Sequence, residues 1–121
     1  MDIEIEYVPL KLSHTTRRAC SFQCVYAVVR EAEKGDMIRV VFVQGSEAIF
    51  FDYLLRLVNG GVMTADEDVT RALKDITETP ELATQPDFDG QFDVGITDDF
   101  DPVIFASRIF PSVLQAELYK P

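Results

Sequence analysis

A chain of 121 residues that is 47% hydrophobic, with nine Phe, four Tyr and a formal charge of −10, can bury most of its unfolded surface within one domain. This composition excludes a disordered chain, and the charge disfavours direct nucleic-acid binding and adhesion to anionic membrane. The expectation is a single α+β domain over residues 1–121, with a mainly antiparallel sheet of about four to six strands and two helices packed on one face.

The chain opens "MDIEIEYV", acidic where a secretory signal would be basic, and Ile3, Ile5 and Tyr7 alternate with Asp2, Glu4 and Glu6. That alternation predicts a half-buried strand with an acidic outer face. The longest nearly apolar run, "AIFFDYLLRLV", carries Asp52 and Arg56, so the sequence predicts no signal peptide, no membrane span and a reducing cytoplasm.

"FQCVYAVVRE", Phe22 to Glu31, places its apolar residues all round a helical wheel. As a strand it sets Phe22, Cys24, Tyr26 and Val28 on one face, and a strand is the expectation. With the loop "EAEKGD" and the β-branched run "MIRVVFV", residues 21–43 read as a hairpin.

At Ser46, a candidate N-cap, the pattern turns helical, and "NGG" at 59–61 signals the stop. Asp52, Arg56 and Asn59 form one polar stripe, leaving an apolar arc of roughly 260°. This helix needs cover on more than one side, from the next helix and the C-terminal segment or from a second subunit. A monomer is the expectation and a homodimer the alternative.

A second helix is predicted from Thr64, with Asp66, Glu67 and Asp68 in its first turn. Ala65, Val69, Ala72, Leu73 and Ile76 form its buried stripe, and Glu67 and Arg71 an i,i+4 pair. Beyond Pro80, "QFDVGI" predicts a short strand. "PVIFASRIF" reads equally as a strand or as a helix with Asp101 at the N-cap and Pro102 at its first position. "SVLQAELYK" is equally open between the two.

The charge is concentrated in one segment. No Lys or Arg occurs from Asp75 to Ser107, while Asp75, Glu78, Glu81, Asp87, Asp89, Asp93, Asp98, Asp99 and Asp101 are all acidic. The rest of the chain is close to neutral. Within this segment lies "QPDFDGQFDVGITDDFDP", residues 85–102.

Asp87, Asp89 and Gly90 fit positions 3, 5 and 6 of an EF-hand loop, but Gln85 would stand at position 1 and Ile96 at position 12, where a bidentate Glu is required. A solvated Asp/Gly turn is the better reading. Cys20 and Cys24 lack the paired short spacings of a zinc site and the Cys-x-x-Cys of a redox pair. On one strand their sulfurs would stand roughly 13 Å apart, too far for a disulfide. They read as small hydrophobes.

His14, the single histidine, has no identifiable nucleophile to serve, and there is no Gly-x-Ser-x-Gly elbow or phosphate-binding loop. The exposed aspartates lack the desolvation that general acid/base work needs. Arg17 and Arg18 are too few for a nucleic-acid face. No metal, cofactor or catalytic residue is expected.

Two functional classes remain. The first is a non-enzymatic acidic protein that docks on a basic protein surface, such as a nuclease or nucleic-acid-binding protein, as an inhibitor, immunity-type protein or nucleic-acid mimic. Asp87, Phe88, Asp89, Asp93, Asp98, Asp99, Phe100 and Asp101 would form its surface. The competing reading of Phe88, Phe92 and Phe100 is that they tuck into the core. The second class is a small enzyme or ligand-binding subunit with a site between sheet and helices.

Overall fold

Phe22–Val29 is an α-helix, α1, and not the strand expected there. In the computed structural model, which describes residues 22–88, 90–110 and 112–120, Val25, Ala27, Val28 and Val29 are all buried. A helix that is apolar all round is one enclosed on all sides. α1 lies against the last helix and the last strand, so its β-branched residues pack in a helix despite their propensity.

The hairpin expected over 21–43 therefore does not form. Strand β1, Met37–Phe42, pairs with two strands from the C-terminal half of the chain. Helix α2 spans Ala48–Asn59, the two-residue strand β2 Met63–Thr64, and helix α3 Glu67–Glu78. A 3₁₀ turn at Pro80–Thr84 leads to strand β3, Gly90–Ile96. Helix α4, Pro102–Ile109, and strand β4, Val113–Tyr119, complete the order. The result is α+β: among the described residues there is one four-stranded antiparallel sheet in the order β2-β3-β1-β4, with four helices rather than two.

Alternation assigns the two faces of the sheet. Ile38, Val40 and Phe42 of β1, Phe92, Val94 and Ile96 of β3, and Val113 and Ala116 of β4 are buried on the core side. Arg39 opposes Asp93 on one neighbour and Glu117 on the other, on the opposite face. α2 is anchored by Phe51, whose ring lies 4.5 Å from Phe42 and 6.0 Å from Phe92 between centroids, within the range of favourable aromatic pairs. α3 packs on α2 through Leu73 and Ile76. Thus the sheet, α3 and α4 bury Phe51 and Leu54 of α2, while the rest of its wide apolar arc is covered only in part and Ile49 stays 64% exposed.

The helix ends show which local signals governed. Ser46 is not the N-cap of α2; Glu47 holds that position without a side-chain bond. The Ser46 hydroxyl instead reaches Val43 O at 2.7 Å and Ser112 O at 3.2 Å, tying β1 to the approach of β4. Thr64 is likewise in β2, and α3 is capped by Asp66, which accepts from Val69 N at 2.8 Å. The predicted Glu67–Arg71 pair forms at 3.1 Å.

The strand expected at Ile3–Tyr7 lies outside the described residues, as do His14, Arg17, Arg18 and Cys20. Cys24 falls within α1, so the strand geometry used to separate the two sulfurs does not apply. Among the described residues no helix is long and apolar enough to cross a membrane, and no cluster of three potential metal ligands occurs.

Candidate protein-docking site

The acidic stretch is divided by the strand it contains. β3 is seven residues long, which at about 3.3 Å per residue separates Asp87 and Phe88 from Asp98–Asp101 by roughly 20 Å. Asp87 is exposed in the turn before β3, and Phe88 is half-buried, edge-on to Phe51 at 5.9 Å. Asp89 lies outside the described residues. Phe92 is a core residue, 3% exposed.

Asp93 sits on the outer sheet face. Its carboxylate accepts two bonds from Arg39, at 2.8 and 3.0 Å, and the Arg39 guanidinium lies 5.0 Å from the Tyr119 ring centroid. This fork-to-fork geometry raises the Arg39 pKa still further, with the Asp93 bond as the main cause. Tyr119 donates to Glu117 at 3.0 Å. Asp93 is thus matched by Arg39, and Glu117 is held by the Tyr119 hydroxyl.

Asp98, Asp99, Phe100 and Asp101 are brought together at the other end of β3, where the chain turns into α4. The Phe100 N–H donates to Thr97 O at 3.2 Å, closing the turn. The Thr97 hydroxyl donates to Val62 O at 2.5 Å, fixing the turn to the segment after α2. Asp101 caps α4, its Oδ1 accepting from Val103 N at 2.9 Å and Ile104 N at 3.2 Å. Pro102 follows at the first helical position, where its missing N–H costs no bond.

"NGG" shapes the facing wall. Gly61 takes a φ of +80°, a conformation open to glycine. Gly61 N then donates to Val58 O at 3.2 Å and Val62 N to Leu57 O at 2.9 Å. This is a Schellman closure, which typically sets the residue after the glycine against the helix's last turn. Both Leu57 and Val62 line an open cleft between α2 and α4.

Tyr53, Phe100, Ile104 and Phe105 complete the apolar lining of this cleft, whose volume is about 170 Å³, and Asp99 and Asp101 stand on its rim. Phe100 packs on Phe105 at 5.3 Å. Val103 and Ile104 are 48% and 50% exposed, among the few large hydrophobic residues so placed. Burial pushes the Tyr53 hydroxyl pKa up, Arg108 pulls it down, and the Asp101 carboxylate adds to the rise.

Asp98 pairs with Lys34 at 3.3 Å, both highly exposed. Among the described residues neither Asp99 nor Asp101 has a basic group within 4.0 Å.

No family model, curated protein or solved structure matches this chain. The sequence marked the acids and Phe100 of this site but not Tyr53, Leu57, Val62 and Ile104. The available signal was the apolar arc of α2, too wide for the core to use completely.

Proposed function

We propose that this chain is a non-enzymatic acidic binding protein that docks on a basic protein surface, in an inhibitor, immunity-type or nucleic-acid-mimic role. The observation that carries the reading is the pairing of Asp99 and Asp101, acids with no basic partner among the described residues, with half-exposed apolar residues around one cleft. Exposed acids steer encounter, and apolar anchors slow release. The acids at 98, 99 and 101 lie within one Debye length of about 8–10 Å at moderate salt, so their fields add.

The test uses two baits, the wild-type chain and the triple variant D98N/D99N/D101N. Basic proteins retained by wild type at low salt should be released as salt rises and should be lost from the triple variant. Surface plasmon resonance on a captured protein should show the variant's deficit in the association rate, with dissociation changed less. A partner whose association rate is the same for both baits at low salt contradicts the docking reading.

A further inference from the structure

We infer that the cleft between α2 and α4 receives one apolar side chain carried on a basic segment of the partner. This rests on the docking reading and specifies its anchor. An apolar cavity of about 150 Å³ accommodates benzene, so the cleft's volume of about 170 Å³ suits a single Leu, Met or Phe side chain.

The cleft's polarity sets the orientation of that segment. Arg108 lies over the Tyr53 ring, 5.8 Å from its centroid, at one end. Asp99 and Asp101, at the N-terminus of α4, have no such partner among the described residues. The partner's Lys or Arg therefore meets the Asp99/Asp101 side, while its apolar residue enters between Leu57, Val62 and Ile104. The walls are set in advance by the Schellman closure, the Thr97–Val62 bond and the Asp101 cap, which reduces the ordering cost of binding.

The other candidate surfaces lack this complementarity. On the outer sheet face Asp93 is already satisfied by Arg39. The cleft between α2 and α3 sets Lys74 beside Glu78 and so carries no net charge preference.

The probes are blocked heptapeptides with lysines around a central residue, either Leu or Ala, titrated into the ¹⁵N-labelled 121-residue chain at low salt. The Leu peptide should bind about tenfold more tightly than the Ala peptide at equal charge, the expected worth of burying such a side chain. Its shift changes should centre on Val62, Phe100, Ile104 and Phe105. Ile104→Ser, a neutral change at a half-exposed position, should remove the Leu advantage, bringing the Leu peptide's affinity down to that of the Ala peptide. Equal, salt-sensitive affinities for both peptides would overturn the anchor inference and leave the docking reading standing. Failure of both peptides to bind at low salt would overturn the two together.

Discussion

Replacing Asp101 by Ala and, separately, by Asn separates its structural role from its electrostatic one. In the structure Asp101 Oδ1 is the acceptor for two N–H groups of the first turn of α4. The helix it caps contributes Phe105, Ala106 and Ile109 to the core. Loss of such a cap costs about 0.5–2 kcal/mol. Because Asp101, Val103 and Ile104 are exposed, water replaces part of what is lost, and about 1 kcal/mol is expected for Asp101→Ala. That corresponds to a fall of roughly 4 °C in Tm for a chain of this size. Asn keeps the acceptor and ranks with Asp as a cap, so Asp101→Asn should stay within about 0.5 kcal/mol of wild type. Urea unfolding followed by circular dichroism reads both, with the midpoint moving and the m-value unchanged. If Asn proves as destabilising as Ala, charge and not hydrogen bonding governs this position, and the cap argument is wrong. If the argument holds, Asp101→Asn can report on association without confounding the fold.

Leu54 is fully buried, so Leu54→Ala should cost about 2–5 kcal/mol, while Leu57→Ala, on the open cleft, should cost clearly less; equal costs by chemical denaturation would contradict the internal placement of one and the cleft position of the other. A Cβ at Gly95 would overlap Thr64 Oγ1 and lie 3.2 Å from Met37 Sδ, so Gly95→Ala should destabilise by roughly 1–3 kcal/mol. Adding Thr64→Ala should recover much of that, and additive losses in the double variant would count against the clash. Asp36 is buried, accepting from Glu33 N at 2.9 Å and from Lys120 at 3.1 Å. The backbone bond chiefly, with Lys120 assisting and burial opposing, holds its pKa below the ordinary range. Its folded pKa being depressed, its stabilisation is present above the unfolded value of about 3.9 and disappears as pH falls through the folded one. The gap in Tm between wild type and Asp36→Asn should therefore be full at neutral pH and close below about pH 4; a gap that persists there would refute the assignment.

Among the described residues, several local signals legible in the sequence were borne out. The glycines at 60 and 61 end α2, the Asp101–Pro102 pair opens α4 as one of the two readings allowed, and "QFDVGI" lies within β3. The acids and Phe100 of the cleft were equally visible, because charge and side-chain type need no fold to be read. Tertiary burial decided the rest. Phe22–Val29 has strand-like composition and no polar face, and only its enclosure by α4 and β4 makes it a helix. Ser46 and Thr64 have N-cap chemistry, yet Ser46 bonds across to Ser112 and Thr64 pairs with Gly95, partners far along the chain. The cleft itself joins residues from 53 to 105. Its walls are local, a Schellman turn and a capped helix, but their meeting depends on β3 running antiparallel to β2, a long-range pairing that no local periodicity encodes.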